Sequence, residues 1–114
     1  MKKLMLLSVV ALAVVVFTQC RSAKNTAASK KTLTYTADVQ PIVADKCSPC
    51  HIPEKGGRVA ALNTYDKVKN NIGDIVRRIE MNPGDKGFMP FKHPKLSDST
   101  INVFKQWKDG GLAE

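Results

Sequence analysis

The sequence predicts an all-α fold of three to four helices joined by long loops. Three observations lead there. Apolar residues recur at helical spacing in three separate stretches. Capping residues stand at the ends of those stretches. No run alternates apolar and polar residues as a half-buried strand does.

In the first stretch Val39, Ile42, Val43 and Cys47 follow helical spacing. Asp38 reads as its N-cap, and Pro41 then falls in the first turn, where a missing N–H costs least. The second stretch has Ile72, Ile75, Val76 and Ile79 on one face and Arg77, Arg78 and Glu80 on others. Asn71 can cap it, and a shorter helix from Thr64 through Val68 is expected before it. The third opens on Ser97, with Asp98 facing the positive end of the helix dipole. Leu96 and Ile101 are spaced for a hydrophobic staple, and Ile101, Phe104 and Trp107 form the apolar stripe. Gly110-Gly111 ends it. Two long loops remain, from His51 to Leu62 and from Met81 to Pro94. Loops of that length point to a function, or to a cofactor they wrap.

The chain has 114 residues, enough for one domain. Lys2 and Lys3 precede an uncharged run from Leu4 to Phe17. As a helix that run would span only about 21 Å, against a ~30 Å hydrocarbon core. Residues 1–19 therefore read as an export signal rather than a permanent membrane span. Cys20 stands where a bacterial lipoprotein signal places its lipid-modified cysteine, although Phe17-Thr18-Gln19 departs from the usual small residues. Ordinary cleavage near Ala27-Ala28 is the alternative. Residues 20–32 are rich in Ala, Ser, Thr, Asn and Lys and read as a flexible tether. Residues 33–114 are the folded domain, small enough that a cofactor is expected to help its core.

The formal charge is +8, from 18 Lys and Arg and ten Asp and Glu. Six of the basic residues precede Leu33 and no acidic one does, so the folded part carries 12 against ten. The basic character belongs to the signal and tether. It fits an anionic membrane surface better than nucleic acid, and no nucleic-acid partner is expected.

Cys47-Ser48-Pro49-Cys50-His51 is a C-x-x-C-H motif, the signature of covalent haem attachment. Two thiols three positions apart can each add to a vinyl group of one haem, and the adjacent histidine can ligate its iron. Three other readings compete. A redox dithiol belongs in a βαβ setting, which the helical pattern lacks. A zinc site needs four ligands, and only His93 is left to join Cys47, Cys50 and His51. A plain Cys47–Cys50 disulfide is the simplest. The candidates for a second axial ligand are Met89, Met81 and His93. Met89 is favoured, because the irregular Gly87-Phe88-Met89-Pro90 segment can carry its sulfur to the far haem face. Met81 at a helix end reads as core, and His93 between Lys92 and Pro94 as surface. His/Met ligation raises the reduction potential.

On these residues the sequence resembles the monohaem class I c-type cytochromes in their short bacterial form. The likeness runs from Tyr35 to Gly111. It takes in Tyr35-Thr36-Ala37-Asp38-Val39-Gln40-Pro41-Ile42 before the haem motif, Met89-Pro90 after it, and Leu96-Ser97-Asp98 opening a helix with Trp107. The resemblance implies a cytochrome c fold wrapped around one covalent haem c. It also implies Cys47, Cys50, His51 and Met89 as the cofactor-binding residues, with His51 and Met89 on the iron. The expected activity is single-electron transfer rather than catalysis, between periplasmic or other extracytoplasmic redox proteins, with a membrane tether through Cys20 or the N-terminal apolar run. No small-molecule substrate is expected. The alternatives are a haem-binding sensor, or an accessory electron-transfer subunit of a larger redox enzyme. Lys46, Lys55, Arg58, Lys86, Lys92 and Lys95 are read either as a basic ring for acidic partners or as ordinary solvated surface.

Overall fold

The structure, a computed structural model, describes residues 31–114. The expected signal, Cys20 and all but the last two residues of the expected tether lie outside it. The described residues form three α-helices and no strand, so the fold is all-α as expected.

The first helix begins earlier than Asp38. Thr34 is the N-cap, its hydroxyl accepting from the Ala37 N–H at 3.3 Å. The Asp38 carboxylate reaches back to accept from the Thr34 N–H at 2.9 Å and pairs with Lys31 at 2.7 Å. Two N-terminal donors are thus satisfied reciprocally, much as in a capping box. The Lys31 ammonium, then the Thr34 N–H, hold the Asp38 carboxyl below the usual carboxylate range. The chain opens in a π-helical turn, Tyr35–Val39, and passes directly into α1, Gln40–Lys46. In that turn the N–H groups of Val39 and Gln40 reach back five residues, to the Thr34 and Tyr35 carbonyls. The wider turn falls just before Pro41, whose ring would crowd the carbonyl four residues earlier in a regular helix. Asp38 was a plausible cap by residue type, but the deciding hydroxyl lies four residues upstream.

The second stretch is one helix rather than two. α2, Tyr65–Glu80, is capped by Thr64, whose hydroxyl accepts from the Lys67 N–H. Asn71 sits inside it, not at its start. Its side-chain amide donates to the Lys67 carbonyl at 2.7 Å, one turn back, so it bonds locally without interrupting the helix. α3, Asp98–Asp109, is capped by Ser97 through the Thr100 N–H, and ends at Gly110. Leu96 and Ile101 both join the core, as a staple requires.

The π turn and α2 both pack on α3. Val39 and Val43 from the N-terminal helix meet Val68, Ile72, Val76 and Ile79 from α2 and Ile101, Phe104 and Trp107 from α3. One end of this core is aromatic. Tyr35, Tyr65 and Trp107 lie with ring centroids 5.6–6.2 Å apart, tilted or edge-on. The same three residues hold the C-terminal tail. The Tyr35 N–H and the Trp107 indole N–H donate to the Ala113 carbonyl, at 2.8 and 2.7 Å. The Tyr65 hydroxyl donates to the Leu112 carbonyl at 2.7 Å. No helix of the described residues is long and apolar enough to cross a membrane.

Candidate functional site

The C-x-x-C-H motif continues the helical path past the end of α1. The Cys47 N–H donates to the Val43 carbonyl, and the His51 N–H donates to the Cys47 carbonyl, both at 3.0 Å. One helical turn thus carries Cys47, Cys50 and His51, and the spacing sets them on a shared face. Cys47 is half-buried and Cys50 exposed, and the two thiols are not joined to each other. Burial pushes the Cys47 thiol up to about 11, so it stays protonated at neutral pH.

The 52–62 segment folds back over this turn. Pro53–Lys55 forms a 3₁₀ turn closed by Gly56 in the left-handed conformation, with φ +84°. Gly57 then lies against the motif itself. A Cβ there would fall 2.6 Å from the carbonyl oxygens of Pro49 and Cys50 and 2.8 Å from the Ile52 nitrogen. Only a residue without a side chain permits that approach. The loop returns to His51 at two points. The Leu62 N–H donates to the His51 carbonyl at 2.8 Å, and His51 Nδ1 lies 2.6 Å from the Ala60 carbonyl oxygen. A carbonyl can only accept, so Nδ1 is the donor. In the neutral ring this leaves Nε2 with a free lone pair. The Ala60 carbonyl thereby fixes the orientation of the ring and its tautomer.

These residues line a cavity of about 380 Å³, within the ~300–1,000 Å³ of typical ligand and cofactor sites. Cys47, Cys50 and His51 reach it from the motif. Val59, Ala60 and Leu62 reach it from the returning loop, and Asn71, Asp74, Ile75, Arg78 and Ile79 from α2. Met89, Pro90, Phe91 and His93 come from the loop after α2, and Phe104 from α3. α2 is therefore two-faced, with Val68, Ile72 and Val76 in the core and the 71–75–78 stripe on the cavity. Val59 and Phe91, the large hydrophobic residues left exposed among the described residues, both line the cavity too.

Of the three expected candidates for the second ligand, two reach the cavity. Met89 is half-buried, follows the buried Phe88, and is tied to α2 by its N–H, which donates to the Arg78 carbonyl at 3.2 Å. His93 is exposed. Met81 is the C-cap of α2 and does not line the cavity; its thioether lies by Gly87. Among the described residues no three His, Cys, Asp or Glu side chains converge as a metal-binding group.

The α2 contribution was not anticipated from the sequence. A second stripe beside the apolar one was visible in Asn71, Ile75 and Arg78, but nothing in the pattern said what it would face. The partnership of Ala60 with His51 has no sequence signal, since any residue supplies a carbonyl. No family model, curated protein or solved structure matches the chain. What fold and site define is thus an all-α domain with a cavity walled by a C-x-x-C-H turn and a methionine loop.

Proposed function

We propose that the chain is a single-electron carrier of the monohaem class I cytochrome c kind, in which Cys47 and Cys50 would attach one haem c and His51 and Met89 would hold its iron. The observation that carries this reading is His51. Its imidazole is oriented by the Ala60 carbonyl through Nδ1, which leaves Nε2 as the nitrogen available to a ligand, and it lines a cavity that Met89 also lines.

A bound haem would supply the one-electron chemistry of its iron. The chain's own residues do the rest. The 47–51 turn presents both thiols and the imidazole from one rigid segment. Leu62, Ile75, Ile79 and Phe104 give the cavity an apolar wall that would keep water from a bound haem and so favour its less charged reduced state. Val59 and Phe91 are unfavourable against water alone and natural beside an apolar macrocycle. Met89 offers a thioether from a loop anchored to α2. No acid, base or nucleophile is needed, and none is assigned. His93, which lines the same cavity, is the competitor to Met89 for the iron, and ligation by it would lower the potential.

Met89→Ala tests the assignment. The variant is expected to keep its covalent haem and to lose the methionine-to-iron band in the far red of the oxidised spectrum. Survival of that band would move the ligand to Met81 and remove Met89 from the site.

We place the carrier at an extracytoplasmic membrane face, from the basic-then-apolar start of the chain and the position of Cys20. Cys20→Ser is expected to shift the chain from the membrane to the soluble fraction. Retention on the membrane would make the Leu4–Phe17 run the anchor instead.

A further inference from the structure

The loop that carries Met89 is held by one residue of α2 through two different groups. The Arg78 carbonyl accepts from the Met89 N–H at 3.2 Å. The Arg78 guanidinium donates through Nη1 to the Gly87 carbonyl, also at 3.2 Å. Nε of the same guanidinium donates to Asp74 Oδ2, one turn back on α2. Gly87 is fitted to this arrangement. Its φ is +101°, and a Cβ there would lie 3.2 Å from Arg78 Nη1. Arg77 also pairs with Asp74 but makes no bond to the loop.

We infer that Arg78 is a positioning residue for Met89: with Asp74 as its brace, it holds the 87–89 segment so that the Met89 sulfur is presented to the cavity. The inference rests on the haem reading above and adds what keeps the weaker axial ligand in place. Main-chain anchoring alone would leave the segment free to pivot about the Met89 N–H. The guanidinium supplies a second fixed point two residues upstream. A lysine cannot reproduce it, because one ammonium does not offer the planar fork that spans Asp74 and Gly87. Arg78 is a third exposed, so the bond is partly screened.

The test uses the full chain with its haem. Wild type, Arg78→Gln and Arg77→Gln are compared by the far-red methionine band, by midpoint potential, and by titration with imidazole, which displaces a loosely held methionine. Arg78→Gln should bind imidazole roughly tenfold more tightly, the size expected for loss of one charge-assisted hydrogen bond, with a weaker band and a shifted potential. Arg77→Gln should match wild type. Gly87→Ala, which crowds the same guanidinium, should resemble Arg78→Gln and serves if that variant does not fold. Wild-type values for both Arg78→Gln and Gly87→Ala overturn the inference, and so does an equal effect of Arg77→Gln. A wild-type protein without covalent haem or without the methionine band overturns the functional reading, and the inference with it.

Discussion

Trp107→Ala is expected to destabilise the folded chain by about 3–5 kcal/mol, the usual cost of deleting a fully buried large aromatic side chain. Trp107 is 1% exposed and is the largest fully buried side chain among the described residues. It occupies the point where three segments meet: the N-terminal turn through Tyr35, the start of α2 through Tyr65, and the C-terminal tail through Ala113. Its removal opens a cavity bounded by two tyrosine rings, and the Tyr65 ring cannot collapse into it without giving up the bond from its hydroxyl to the Leu112 carbonyl. The scale of the domain makes the loss decisive. Residues Lys31–Glu114 form one compact unit. A domain of that size has a total stability of about 4–13 kcal/mol. Urea unfolding followed by far-ultraviolet circular dichroism measures the change. Trp107→Phe is the control. It keeps most of the apolar volume and loses the indole N–H, while the Ala113 carbonyl keeps the Tyr35 N–H, so a loss of about 1 kcal/mol is expected. A Trp107→Ala midpoint equal to wild type would mean that this aromatic junction does not hold the helices together.

Gly57→Ala is expected to impair the site more than any other single methyl group. The added Cβ would fall well inside contact distance of three backbone atoms, the oxygens of Pro49 and Cys50 and the nitrogen of Ile52. None of them can rotate away as a side-chain tip can. The strain must be relieved by moving either the C-x-x-C-H turn or the loop that returns to it. Either motion separates the Ala60 carbonyl from His51 Nδ1. The expected result is a destabilisation of about 1–3 kcal/mol, as for other overpacked positions, together with, on the proposed haem reading, a lower yield of covalent haem. Haem content per chain after denaturation, beside a thermal melt, separates the two effects. Gly56→Ala is the comparison. Gly56 has open space around it but a left-handed φ, so it should cost about 1 kcal/mol in stability with little effect on the C-x-x-C-H turn. Normal stability and haem content in Gly57→Ala would show that the 52–62 loop does not brace the motif.

How far the molecule could be read from its sequence depends on the range of the interaction concerned. The α3 limits were legible at both ends, because Ser97 and Gly110 act within a turn of themselves. The all-α class followed from the periodicity of Ile72, Val76 and Ile79 and of Ile101, Phe104 and Trp107. Reading failed where a polar residue had more than one local option. Asp38 is a good cap by type, yet it serves as the far half of a cap made by Thr34. Asn71 is another, yet it bonds within a helix that runs through it. Both errors share a cause: short polar side chains bond to whichever backbone group the tertiary fold leaves nearby.

The same division runs through the candidate site. The sequence by itself determined the chemistry available: two thiols and an imidazole on one helical turn, a methionine in an irregular loop, and three amphipathic helices to build around them. These are properties of neighbours in the chain, so spacing and residue type suffice. Only the tertiary structure decided that Met89 and His93, but not Met81, line the cavity with that turn. It alone decided that the Ala60 carbonyl orients His51, that Gly57 rests on the motif, and that Arg78 grips the Met89 loop. Each of these joins segments brought together by the closure of a loop, mostly through backbone carbonyls that every residue possesses. Such groups leave no mark in residue type or period, and their partners are set by which surfaces the buried core brings into contact.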